Sequence, residues 1–218
     1  LSFTTIPERF NEANQLVRNI LMQLNGFTKL YLNIPMEYKQ FPNTTIDVSM
    51  FPKNDRRFEL VRCKDYGPAT KLIPTLEKLQ GQLCNLIIFD DNPYHMDAFK
   101  ILAEKQELNH SKSFSYYTYA YKNLKRVAQG VDMISFWVPH LKYFMRYYEE
   151  HAMNNEYCFF VDDLVISSYL NKYGIDIETV PRKWKWAWIP SNESSYELFK
   201  LSGRFNRTNS MKECYKHL

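Results

Sequence analysis

The sequence predicts an α/β fold, a mixed, mainly parallel sheet flanked by helices on both faces. Three observations predict it. Apolar runs of strand type alternate with amphipathic helical patterns through the first half, the order that builds a parallel sheet. One such run, Leu86-Ile87-Ile88-Phe89, ends abruptly in Asp90-Asp91-Asn92, as a strand does when it delivers polar groups to a sheet edge. At 218 residues and 45% apolar, the chain suits one domain with a sizeable core.

Residues 3–6 read as the end of a first strand, followed by Pro7, which suits a first helical turn. Phe10, Ala13, Leu16, Val17, Ile20, Leu21 and Leu24 then fall three and four apart, an amphipathic helix closed by Gly26. Residues 30–34 form a second strand ended by Pro35, and 36–57 a polar loop with a short strand near 46–48. Residues 58–62 read as a third strand, and Asp65-Tyr66-Gly67-Pro68-Ala69-Thr70-Lys71-Leu72 as a turn running into a helix through Leu79. The fourth strand is 85–89, followed by a helix over 96–105 and a strand over 114–120. Residues 122–135 stay open between strand-like pieces around a Gly130 turn. Pro139 starts a helix to about Glu150. Residues 156–161 read as a strand ending in a second acidic pair, Asp162-Asp163, before a helix to about Tyr173 and a strand over 175–180. The stretch 181–218 holds Trp184, Trp186, Trp188 and a short helix near 194–201. The chain starts with Leu, which suits a piece of a longer protein.

The net charge is +4, with no run of five or six like charges, so a nucleic-acid partner is not indicated and a small anionic ligand fits the basicity equally well. Only six glycines occur, which argues against a Gly-rich phosphate loop. No membrane span and no signal peptide are read. Cys63, Cys84 and Cys158 sit in apolar, strand-like runs without Cys-x-x-Cys spacing. They read as buried reduced thiols in a reducing, cytoplasmic setting, where the Asn-x-Ser/Thr sequons at Asn43, Asn109, Asn192 and Asn206 carry no weight.

Adjacent carboxylates at a buried strand tip are costly unless a cation or hydrogen-bond donors face them. Asp90 and Asp91 therefore suit Mg²⁺ or Mn²⁺, which take one or two protein carboxylates with phosphate oxygens and waters. The plain alternative is a helix cap near Pro93. Thr4-Thr5 and Arg9 after the first strand, and Asp65 and Lys71 after the third, reach the same sheet edge, where a turn into a helix offers N–H groups and charge to an anion. Asp162 or Asp163 suits a general base for an acceptor hydroxyl, against the plain alternative of an N-cap. Trp184, Trp186 and Trp188 would share one face of a strand, as core packing or as a platform for a sugar ring.

The runs Thr4-Thr5-Ile6-Pro7-Glu8-Arg9-Phe10, Asp65-Tyr66-Gly67-Pro68-Ala69-Thr70-Lys71-Leu72 and Asp90-Asp91 with Tyr94 resemble small GT-A-fold glycosyltransferases, a group that includes capsid-glycosylating enzymes of chlorella viruses. The resemblance spans roughly residues 2–175. It implies a Rossmann-like GT-A domain with a nucleotide-sugar half over about 1–110 and an acceptor half over about 111–218. It also implies a nucleotide-diphosphate sugar, UDP-sugar favoured, a glycan or glycoprotein acceptor, and Mn²⁺ or Mg²⁺. Carried over, Thr4, Thr5, Arg9 and Asp65 would contact the nucleoside, Lys71 the diphosphate, and Asp90 and Asp91 the ribose and metal. Asp162 or Asp163 would stand where inverting members keep their base. Trp184 and Trp186 lie outside the resemblance, and their alternation alone makes them candidates for an acceptor sugar. Relatives often read Asp-Asp-Asp with a Tyr shortly after. Register set by the strand end puts Asn92 on the metal, and register set by Tyr94 puts Asp91 there. The second is preferred because it leaves a carboxylate on the ion. Rival readings are a sugar nucleotidyltransferase and a non-catalytic carbohydrate-binding module of the same fold.

Overall fold

Strand β1 (Ser2–Thr4) lies mid-sheet, parallel to β2 (Leu30–Pro35) on one side and to β4 (Asn85–Ile88) on the other. The structure, a computed structural model, describes residues 1–185, 187 and 206–218. β3 (Phe58–Cys63) extends the sheet beyond β2, again parallel. The second half of the chain adds β5 (Ser113–Ser115), β8 (Ile134–Trp137) and β9 (Ile177–Thr179), completing the order β3-β2-β1-β4-β8-β5-β9. β8 is antiparallel to both β4 and β5, and β9 is parallel to β5, so β8 alone runs against the rest. β6 (Thr118–Tyr121) and β7 (Leu124–Ala128) form a separate hairpin.

The chain winds outward from β1 to β3 and then returns to the other side of β1 with β4. That reversal makes a switch point in the strand order, and ligands of open α/β sheets bind outside the carboxyl ends of the strands there. Helices α1 (Phe10–Gln23) and α3 (Met96–Leu108) pack on one face of the sheet. Helices α2 (Ile73–Leu79), α4 (Phe144–His151) and α5 (Asp162–Lys172) pack on the other. The strands serve both cores by the period-two rule: Leu86 and Ile88 enter the α2/α5 side, while Ile87 and Phe89 enter the α1/α3 side. Each such fully buried side chain contributes about 1.5–3 kcal/mol.

A buried polar cluster pins the start of α2 onto the sheet. Ser2 Oγ donates to the Lys71 carbonyl at 2.6 Å and meets Thr75 Oγ1 at 2.7 Å, and Asn33 Nδ2 donates to both hydroxyls at 3.0 Å. With every member hydrogen-bonded, the cluster orients this segment without the penalty of an orphaned polar group.

Several expectations need correction. Residues 156–161 are a series of turns, because Asn155 Oδ1 accepts from the backbone N–H of Tyr157 and Cys158 at 2.9 and 3.2 Å and competes with strand pairing. Asp162 and Asp163 thus open a helix instead of ending a strand. No strand forms at 46–48, and the strand expected over 114–120 splits into β5 and β6 around buried Tyr116. The helix at Pro139 begins as a 3₁₀ turn, Val138–Leu141.

Cys158 is not a reduced thiol. It is bonded to Cys214, on the C-terminal helix Arg207–Tyr215, while Cys63 and Cys84 are free and half-buried. The argument for a reducing compartment loses its ground with that bond. Among the described residues no helix is long and apolar enough to cross a membrane. The short helix near 194–201, Trp186 and Trp188 lie outside the described residues.

Candidate functional site

A cleft opens at the carboxyl ends of β1, β3 and β4. Its walls include Thr4 and Thr5, Asp65 to Lys71 in part, Asp90 and Asp91, Phe159 and Phe160, Asp162 and Asp163, and Arg207. A neighbouring opening shares Tyr38 and Asp65 with it.

Beyond β1, a 3₁₀ turn, Pro7–Arg9, returns Arg9 toward β4. Its guanidinium reaches Asp91 Oδ1 at 2.8 Å, the Asp91 carbonyl at 2.8 Å and Asn92 Oδ1 at 3.2 Å. Thr5 Oγ1 donates to Asp91 Oδ2 at 2.5 Å, so both oxygens of this buried carboxylate are taken. Burial raises the Asp91 carboxyl, with Arg9 and Thr5 pulling the other way. Thr4 Oγ1 donates to the Asn33 carbonyl at 2.7 Å, and the buried Tyr38 hydroxyl donates to the Thr5 carbonyl at 2.9 Å. The β1 end is therefore braced from both sides.

Beyond β3, Asp65 accepts from the backbone N–H of Gly67 and of Lys39, each at 2.8 Å. Gly67 has φ +59°, and a Cβ there would lie 2.7 Å from the Phe159 carbonyl oxygen. Glycine at 67 thus serves both the left-handed turn and a close approach that brings the segment before Asp162 against the Lys71 turn. A second tie is the Tyr148 hydroxyl, which donates to the Tyr66 carbonyl at 2.9 Å.

Lys71 is the centre of the site. Its ammonium lies 2.6 Å from Asp90 Oδ1 and 3.0 Å from Asp162 Oδ2, with its side chain only 3% exposed. Burial lowers this ammonium, but Asp162, Asp90 and Asp163 more than reverse that and hold it above the ordinary lysine value. Gly130 makes room for it, since a Cβ at that position would lie 2.5 Å from Lys71 Nζ. Behind Asp90, the Tyr94 hydroxyl accepts from the Asp90 N–H at 3.2 Å and donates to the Val131 carbonyl at 3.0 Å, fixing the turn after β4.

Asp163 accepts from the Gly130 N–H at 2.8 Å and from Arg207 Nη2 at 3.0 Å. Burial, then the neighbouring charge of Asp162, push its carboxyl up to about 7 against the pull of Lys71 and Arg207. Asp162 Oδ2 has the Lys71 ion pair but no aligned hydrogen bond.

Thr4, Thr5, Asp65, Lys71, Asp90, Asp91, Asp162 and Asp163 thus gather in one cleft, with Arg9 directly behind Asp91. Trp184 does not line it and stacks on His95 at 4.5 Å and 6°. Sequence reasoning missed Arg207, Tyr38 and the packing role of Gly130. Arg207 arrives on a helix placed by the disulfide, and no local spacing in the sequence signals that.

Among the described residues no group of three His, Cys, Asp or Glu is arranged as a metal cage. Asp91, which the Tyr94 register puts on the ion, is spent on Arg9 and Thr5. Asp90 is the carboxylate that the cleft presents, 36% exposed with Oδ1 on Lys71. Such a set fits a hard divalent ion held mostly by ligand phosphates and water, with one protein carboxylate. Compared with known proteins, the chain matches no protein-family model and no curated protein sequence.

Proposed function

We propose that the chain is a GT-A-type, metal-dependent glycosyltransferase that moves a sugar from a nucleotide-diphosphate sugar, UDP-sugar favoured, to a hydroxyl of a glycan or glycoprotein with inversion. The observation that carries this reading is the convergence of Asp90 and Asp162 on the buried Lys71 ammonium at 2.6 and 3.0 Å, at the switch point of the sheet. The site joins an acidic strand end suited to a phosphate-bound ion with a second acidic segment suited to proton transfer.

Asp90 would hold Mn²⁺ or Mg²⁺ bound to the diphosphate, and the ion would supply positive charge to the departing nucleoside diphosphate. Asp162 is the preferred base. Among the described residues its one side-chain partner is the Lys71 ammonium on Oδ2, whereas both Asp163 oxygens accept hydrogen bonds. In the reaction the acceptor oxygen bonds to the anomeric carbon as the bond to the diphosphate breaks, and the hydroxyl proton passes to the carboxylate. Lys71 and Gly130 keep that carboxylate and Asp90 in fixed register. Phe159 and Phe160 give the cleft an apolar wall that restricts water.

The test is calorimetric titration with UDP- and GDP-sugars, with and without Mn²⁺, beside a transfer assay on glycan acceptors. Metal-dependent binding and transfer are expected, with Asp162→Asn lowering transfer about 10²–10⁴-fold while binding persists. Absence of binding under every condition overturns the reading. Binding without hydrolysis or transfer assigns a non-catalytic carbohydrate-binding module instead.

A further inference from the structure

The described cations around the cleft differ in what they have left to offer. Lys71 has a side chain 3% exposed and lies between Asp90 and Asp162. Arg9 is 16% exposed and committed to Asp91 and Asn92. Arg207 is 45% exposed, lines the cleft, and holds Asp163 through Nη2. It therefore carries the most accessible cationic surface among these three residues. A guanidinium presents five N–H donors in a planar fork matched to phosphate oxygens, and its contacts with Asp163 and the Tyr119 hydroxyl do not exhaust them.

The position of Arg207 depends on a covalent tie. The C-terminal helix that it opens is bonded through Cys214 to Cys158, four residues before Asp162. Buried Met211 near the Tyr119 hydroxyl at 3.7 Å, and Tyr215 edge-on to Tyr121 at 5.8 Å, complete the seat. The disulfide thus links the segment that carries Asp162 and Asp163 to the helix whose arginine pairs with Asp163 at the cleft wall.

We propose that Arg207 binds the phosphoryl oxygens of the nucleoside diphosphate, and that the Cys158–Cys214 disulfide seats it there. The inference rests on the proposed nucleotide-sugar reading. Reduction by a dithiol would transfer two electrons, converting the dithiol to its own disulfide and releasing the Cys158 and Cys214 thiols. The helix would then lose its anchor without any change to Asp90 or Lys71.

The test is calorimetric titration of the chain with UDP in the presence of Mn²⁺. Arg207→Gln is expected to weaken binding about ten- to hundredfold, the scale of a lost charge-assisted hydrogen bond. Cys214→Ser should weaken it in the same direction, and the double variant should lose little beyond the larger single effect, since both act through one contact. Unchanged UDP affinity in Arg207→Gln overturns the proposal, as do losses that simply add. Arg207 is exposed at a helix start, so its variant decides the matter even if Cys214→Ser fails to fold. If the unaltered chain binds no nucleoside diphosphate with or without Mn²⁺, the nucleotide-sugar reading fails and this inference with it. Binding that is indifferent to Arg207 removes this inference alone.

Discussion

Asp90-Asp91 and Asp162-Asp163 are the same dipeptide placed on opposite sides of one lysine, and the fold uses them in parallel ways. In each pair one carboxylate meets Lys71 and the other is consumed by a nearby arginine: Asp91 by Arg9, Asp163 by Arg207. The backbone separates the roles differently. Asp90 and Asp91 follow a strand, where consecutive side chains point to opposite sides. Asp162 and Asp163 open a helix, where consecutive side chains diverge by about 100°. The arginines also arrive by different routes. Arg9 comes from the turn directly after β1, and Arg207 from a helix held by a disulfide. The first pair is thus built by sheet geometry and the second by tethering, so the two should respond differently to substitution.

The largest expected effect breaks the shared centre. Lys71→Met leaves Asp90 and Asp162 facing each other and should cost about 3–5 kcal/mol of stability, read from urea melts, together with loss of transfer. A cost below about 1 kcal/mol would mean that the pairs do not depend on a common counter-ion. Next is Gly67→Ala, which forces a side chain into left-handed backbone and against the Phe159 carbonyl at 2.7 Å. A loss of about 2–3 kcal/mol is expected, with weakened transfer because the Asp162 segment moves away from Lys71.

The pH dependence then distinguishes the pairs. The Asp163 carboxyl sits at about 7 in the folded chain against an ordinary value of 3.8, so the folded state binds its proton more tightly than the unfolded state. This group's contribution to stability is fully present below about pH 4 and is lost as pH rises to about 7, with a slope of at most about 1.4 kcal/mol per pH unit. Asp163→Asn should lack that falling limb in pH-dependent melts, and an unchanged slope would place the proton elsewhere. The smallest stability effect belongs to Asp90→Asn, about 1 kcal/mol or less for a carboxylate one-third exposed. That variant should nonetheless lose Mn²⁺-dependent UDP binding, whereas Asp91→Asn should mainly lower the melting temperature. The reverse outcome would restore the register that puts Asp91 on the ion.

How much of this was legible follows the same division. The spacing of Phe10, Ala13, Leu16, Val17, Ile20 and Leu21 predicts α1, and all six are buried. Alternating strands and helices predict the parallel half of the sheet, and the polar residues at the strand ends predict the gathering of Thr5, Asp65, Lys71, Asp90 and Asp91. Those features are local, repeated every few residues, and set by backbone geometry. The second half depends on terms that spacing does not encode. Apolar residues 157–161 resemble a strand, yet the Asn155 side chain captures the backbone that would pair. Four scattered cysteines do not reveal which two meet. Spacing also does not decide that Asp91 turns inward to Arg9 while Asp90 turns to the cleft, because that depends on partners far away in sequence.

The bare backbone at Gly130 sets a gauge under the cleft. With a Cβ at that position 2.5 Å from Lys71 Nζ and 3.2 Å from Asp90 Oδ1, the floor has the thickness of one ammonium group and little more. A lone methyl group added there would force the tip of the lysine to shift while every charged side chain stayed in the sequence. Position 130 is therefore a handle for moving the central ammonium at unchanged charge, a control that separates the placing of the site's charges from their number.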